Sequence, residues 1–183
     1  GSVHQASMLE GLTDERRVAL GLPDMAELDI EALAPWGESL LLGLKSPGSE
    51  EGNAILWKLA FPDVLFDGGT LEAAGLSSWG QIALSVQVGE RTLTSGISDL
   101  LALPDGSLAI TATVVMDEPG EQTGSLWWVP KPTEGRLVGR RIRSFRGLKP
   151  EGLSLSPTPG KLLITFDTGS ATPLWVELDR PAP

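Results

Sequence analysis

The sequence predicts an all-β fold, a β-propeller-like assembly of about three four-stranded antiparallel blades, either a small closed form or a partial propeller. Three observations predict it. Helix-period segments are scarce, while short β-type runs bounded by Gly, Pro, Asp and Ser recur from residue 29 onward. The run 81–88 alternates Ile82, Leu84, Val86 and Val88 with Ala83, Ser85 and Gln87, the two-residue period of a strand with one buried face. The runs also fall into three units of one grammar: an acidic residue opens an apolar strand, a turn and a second strand follow, and a third strand carries Trp. A sandwich of two antiparallel sheets is the competing architecture, since it too shows turn signals every ~8–12 residues. The repeated acidic start and the repeated Trp favour blades.

Residues 1–28 read as an N-terminal tail with one short helix, 13–20, where Thr13 caps and Asp14 and Glu15 suit the first turn. Within that tail, residues 1–8 (GSVHQASM) read as an appended or frayed terminus. The β domain spans 29–183. Its first blade, about 29–90, has strands at 30–35, 39–44, 54–60 with Trp57, and 81–88. The second, about 91–146, has strands at 97–103, 107–115, 125–130 with Trp127 and Trp128, and 136–145. Its first turn, Pro104-Asp105-Gly106, combines a fixed φ with a residue that accepts positive φ. The third blade, about 147–180, has strands at 153–156, 161–166 and 174–178 with Trp175, and residues 157–160 repeat the turn.

A chain of 183 residues with 41% hydrophobic content can bury a core without disulfides or a structural metal. The absence of Cys removes thiol nucleophiles, redox motifs and Cys-based zinc sites. It leaves the periplasm, the extracellular space and the cytoplasm all open. Lys and Arg total 14 against 24 Asp and Glu, a formal charge of -10 that disfavours a nucleic-acid partner. No apolar run approaches the ~20 residues of a membrane-spanning helix.

Three phrases carry a resemblance: LDIEALAPWGESLLLGLKSP (28–47), TSGISDLLALPDGSLAITA (94–112) and GLKPEGLSLSPTPGKLLITFDTG (147–169). In that order they resemble the later blades of a bacterial family of phytase-like β-propellers, over most of residues 28–170. The most specific element is Lys149-Pro150-Glu151-Gly152-Leu153 followed by a strand ending in Phe166-Asp167. Related propellers, the esterase-like domains of phytase among them, carry a similar Glu-Gly step on the inner strand. The resemblance implies a propeller fold more than a chemistry, and it covers only the C-terminal part of the longer family domain.

Glu31, Asp99 and Glu151 stand one per unit at the start of the first strand. In a propeller these starts converge at one mouth of the central channel, where carboxylates are hard oxygen ligands suited to Ca²⁺, or to Mg²⁺ in a tighter geometry. The competing reading is that each caps a turn or pairs with a neighbouring cation. Lys45, Lys149 and Asp167 belong near the same mouth as binding candidates, and the two lysines can neutralise the carboxylates. Glu151 and Asp167 also form a candidate acid and base pair. A Ser-His-Asp triad has no imidazole beyond His4, and no P-loop or dinucleotide fingerprint occurs.

Arg136, Arg140, Arg141, Arg143, Arg146 and Lys149 gather six of the 14 cationic residues within 14 positions. Alternation puts Arg141 and Arg143 on one face and Arg140 on the other, as on an outer, solvated strand. Trp57, Trp127, Trp128 and Trp175 suit core packing, whereas Trp36 or Trp79 would form a platform if exposed. These features define a ligand- or protein-binding propeller module. The alternative is a metal-dependent phosphoester hydrolase with Glu31, Asp99 and Glu151 as ligands. Three blades leave sheet faces bare at both ends, so a homodimer completing a six-bladed ring is expected.

Overall fold

The computed structural model describes residues 12–23, 28–88, 90–115, 122–169 and 172–181. The terminus expected at 1–8, with His4, lies outside the described residues. The protein is all-β, built from several antiparallel sheets, none closed on itself. The first sheet runs β1 (Asp29–Trp36), β2 (Ser39–Ser46), β3 (Ala54–Leu59) and β4 (Leu76–Ile82) in sequence order. A hairpin of β5 (Ser85–Val88) and β6 (Arg91–Thr94) follows as a separate two-stranded sheet. The second sheet is β7 (Gly96–Ala102), β8 (Leu108–Val115), β9 (Gln122–Val129) and, beyond β10 (Gly135–Leu137), β11 (Arg140–Arg146). The third has only β12 (Lys149–Leu155), β13 (Lys161–Asp167) and β14 (Leu174–Asp179).

The first strands lie side by side: β7 packs on β1 and β2, and β12 packs on β7, β8 and β9. Period-two alternation gives each sheet two faces, and the buried clusters show which faces meet. Leu41, Leu56, Ile97, Ile110 and Trp127 fill the layer between the first and second sheets. Leu126, Trp128, Leu153, Ile164 and Phe166 fill the layer between the second and third. The other face of the first sheet is also covered. There Leu42, Leu44, Ile55 and Trp57 pack with Leu20, Leu71 and Ala74.

That cover includes α1 (Asp14–Ala19), capped by the Thr13 hydroxyl, which accepts from Arg16 N, with Asp14 and Glu15 in its first turn. It is fastened by the Trp57 indole N–H, which donates to Leu20 O at 2.8 Å, and by the Arg16 guanidinium, which donates to Leu76 O. A second short helix, α2 (Asp63–Phe66), lies in the connection from β3 to β4, and the residues around it extend the cover.

Two strands expected as single runs are divided. The 81–88 run keeps its alternating burial at Ile82, Leu84 and Val86, yet β4 stops at Ile82 and a hairpin begins at Ser85. The fourth strand of the first sheet therefore starts five residues earlier than position 81, in Leu76-Ser77-Ser78-Trp79-Gly80. The 136–145 run changes sheets. Residues 135–137 pair parallel with β4, and 140–146 pair antiparallel with β9. Gly139 makes the crossing possible, because a Cβ there would sit 2.8 Å from Ile82 Cδ1 and 3.5 Å from Val129 Cγ2.

The tryptophans exchange roles in two places. Trp79 is buried and meets Trp36 edge-on at 5.6 Å between ring centroids, while Trp175 is 65% exposed. Trp175 lies on the face of the third sheet turned away from the second, and no described element covers it.

Candidate functional site

The residues singled out by the repeat gather where β1, β7 and β12 begin. Each of these strands carries a bulge, an extra residue that interrupts the ladder with its partner and re-aims a side chain. In β1 the ladder passes from Ile30 opposite Leu44 to Ala32 opposite Gly43, which leaves Glu31 as the extra residue. In β12 it passes from Pro150 opposite Phe166 to Gly152 opposite Thr165, leaving Glu151. In β7 it passes from Ile97 opposite Ala112 to Asp99 opposite Thr111, so the extra residue is Ser98. Glu31, Ser98 and Glu151 are thus the equivalent positions, and Asp99 stands one residue further along.

The partners repeat as well. On the second strand of each sheet Lys45, Thr113 and Asp167 each follow the residue that faces the one just before the bulge, namely Leu44, Ala112 and Phe166. Glu31 Oε1 accepts from Lys45 Nζ at 2.6 Å. The buried hydroxyls of Ser98 and Thr113 are hydrogen-bonded at 2.9 Å. In the third sheet Lys149 Nζ lies 2.5 Å from Glu151 Oε1 and 4.0 Å from Asp167 Oδ2. One structural position is therefore an ion pair, a neutral pair and a three-charge bridge in successive sheets.

Asp99 takes a different part. Its Oδ1 accepts from its neighbour Leu100 N at 2.8 Å, and its Oδ2 accepts from Leu153 N on β12 at 2.6 Å. Burial pushes the Asp99 carboxyl above its ordinary 3.8, the two amide donors oppose that rise, and the nearby negative charge of Glu151 adds to it. Lys149 is held above its ordinary 10.5, chiefly by its hydrogen bond to Glu151 against the cost of burial, with the charges of Glu151, Glu31 and Asp167 contributing. Glu31 belongs to the first sheet and Lys149 to the third, so the ends of all three sheets share one electrostatic field.

Close backbone approach brings these ends together. A Cβ on Gly96 would lie 2.1 Å from Lys45 O, and one on Gly124 would lie 2.2 Å from Pro150 Cδ. Only a residue without a side chain lets β7 close on β2, or β9 on β12, at that end.

The residues present do not suit a calcium ion. Ca²⁺ takes about 6–8 oxygen ligands. Here Lys45 and Lys149 already stand against Glu31 and Glu151, and both Asp99 oxygens face amide donors. Among the described residues no group of three or more His, Asp or Glu side chains is arranged to hold a metal. Glu151 and Asp167, the candidate acid and base, both face Lys149.

Sequence reasoning missed Ser98 and Thr113. A Ser and a Thr in β-type runs give no charge signal, and the only clue was their alignment with Glu31 and Lys45. Comparison with protein-family models, with curated proteins and with solved structures returns no match.

Proposed function

We propose that the chain is a β-propeller-like, protein-binding module in which the three sheets act as blades and the charged end is a structural clasp. The side-by-side packing of β1, β7 and β12 and the repeated bulge support the blade reading. The phytase-like resemblance enters this reading as a fold and not as an activity. The carboxylates support a clasp because each faces a lysine or an amide of the protein itself.

One observation carries the binding role: among the described residues the third sheet has three strands and no element covers its outer face. That face presents Leu163, Thr165 and the 65% exposed ring of Trp175. On the second sheet the side facing the third holds Trp128, which is buried at 5% exposure. A partner sheet lying on Trp175 would bury it in the same manner.

The first partner to test is a second copy. Closing a six-bladed ring would use the outer face of the first sheet, and α1, Leu71 and Ala74 already cover that face. A two-fold arrangement of third sheet on third sheet needs no such displacement. Sedimentation equilibrium at submillimolar protein is expected to show a dimer that Trp175→Asp converts to monomer. A wild-type chain that stays monomeric, or a dimer indifferent to Trp175→Asp, would remove the second copy as the partner of this face.

A further inference from the structure

The arginine strand plays no part in the clasp. β11 is the edge of the second sheet, paired on one side with β9 and, among the described residues, open on the other. Its four arginines, Arg140, Arg141, Arg143 and Arg146, are all exposed. Although the chain carries a net charge of -10, none of the four has a carboxylate partner among the described residues. Two are held in place. The Arg140 guanidinium lies 5.2 Å from the centroid of the Trp128 ring, and that of Arg141 lies 6.0 Å from the Trp127 ring.

A bulge at Ile142 changes how the charges are distributed. Arg141 pairs with Trp127 and Arg143 with Leu126, so simple alternation fails between them. Arg140 and Arg143 share the Trp128 and Leu126 side with Phe145, and Arg141 and Arg146 share the other side with Ser144. Guanidinium groups therefore flank the open edge on both faces.

Blunting an edge against aggregation takes little charge, and lysine is the common choice. This strand uses arginine throughout, whose planar fork matches a carboxylate with two parallel hydrogen bonds and stacks on aromatic rings. Stacking on Trp127 and Trp128 restricts two of the forks before any ligand arrives, which lowers the ordering cost of binding. Four like charges also repel a second copy of the same strand, so the edge selects against itself and in favour of negative charge.

We propose that β11 is the docking edge for an acidic, extended segment of a partner protein, which adds as a further strand to the second sheet. Its main chain pairs with the open edge, and alternate carboxylates reach Arg140 and Arg143 on one face and Arg141 and Arg146 on the other. A nucleic acid fits less well. Its phosphate backbone cannot pair in register with strand amides and carbonyls, and the field of a chain at -10 opposes its approach.

The test is fluorescence anisotropy with the whole chain and three labelled probes. These are a peptide of roughly eight residues, the length of a strand, in which Glu-Glu pairs alternate with Val-Thr pairs so that carboxylates fall on both faces, the same peptide with Lys for Glu, and an oligothymidylate of similar length. The acidic peptide is expected to bind about tenfold or more tightly than the other two. In the Arg140→Glu/Arg143→Glu variant its affinity should fall by at least about tenfold while the Lys peptide gains. Should that variant fold poorly by circular dichroism, Arg140→Gln/Arg143→Gln supplies the same loss without the gain. The proposal is overturned if the acidic peptide does not bind, if neither variant changes its binding, or if oligothymidylate binds as tightly through the same arginines.

Discussion

The Asp99 carboxylate on β7 accepts the Leu153 N–H of β12 at 2.6 Å, a side-chain bond that joins the second sheet to the third. With both oxygens engaged by amides, Asp99→Ala strands two donors and should cost about 1–3 kcal/mol in urea unfolding. The pH dependence has a definite sign. A carboxyl raised above 3.8 by folding binds its proton more tightly in the folded state, so its contribution is greatest below 3.8 and declines as pH rises through the folded value. The loss on Asp99→Ala should therefore be larger in acid than at neutral pH. An equal loss at both would mean that Asp99 titrates in the fold as it does in the unfolded chain.

Asp99 also marks how far the sequence could be read. The strands, the Thr13 cap and the turn at Pro104-Asp105-Gly106 were legible because alternation, capping and turn chemistry are local. In that turn Asp105 Oδ1 accepts from both the amide and the hydroxyl of Ser107. The equivalence of Asp99 with Glu31 and Glu151 was off by one residue, because a bulge shifts register without disturbing the hydrophobic pattern. The start of β4 was hidden by Ser77, Ser78 and Gly80, which are poor strand formers held there by Leu76 and Trp79. The burial of Trp79 and the exposure of Trp175 were not local properties at all. They depend on which sheet face has a neighbour, and no local pattern encodes that.

Gly96 lies close against the first sheet, and its hydrogen stands where a methyl would meet Lys45 O at 2.1 Å. Backbone cannot move aside as a flexible side chain does. Gly96→Ala should cost about 1–3 kcal/mol or more and lower the midpoint of thermal unfolding. Gly106→Ala offers the contrast, since nothing lies within 4 Å and only its φ of +81 opposes the change. Its loss should be about 1–2 kcal/mol, the cost of a left-handed conformation. If Gly96→Ala proved neutral, the close packing of β7 on β2 would be wrong.

Calcium should leave the protein unaffected. Binding it at Glu31 and Glu151 would mean displacing Lys45 and Lys149 from contacts of 2.6 and 2.5 Å. Isothermal titration with Ca²⁺ is expected to give no saturable heat, and neither Ca²⁺ nor a chelator should move the unfolding temperature. Saturable binding abolished by Glu151→Gln would instead make the charged end a metal site and return hydrolysis to consideration.

Lys149 is the cation on which the third sheet's end depends, since it bridges Glu151 and Asp167 and feels Glu31 across the molecule. Lys149→Met keeps most of the stem and removes the charge, leaving two carboxylates of one sheet without their cation. At neutral pH the loss should be about 1 kcal/mol, because both carboxylates are partly in contact with water. Its pKa is raised on folding, so the contribution is fully present below 10.5 and disappears as pH rises through the folded value. Unfolding curves of the two proteins should accordingly run parallel from pH 6 to 9 and converge in stronger alkali. A difference that persisted unchanged there would assign the effect to the packing of the stem, and the charge bridge would carry no stability of its own.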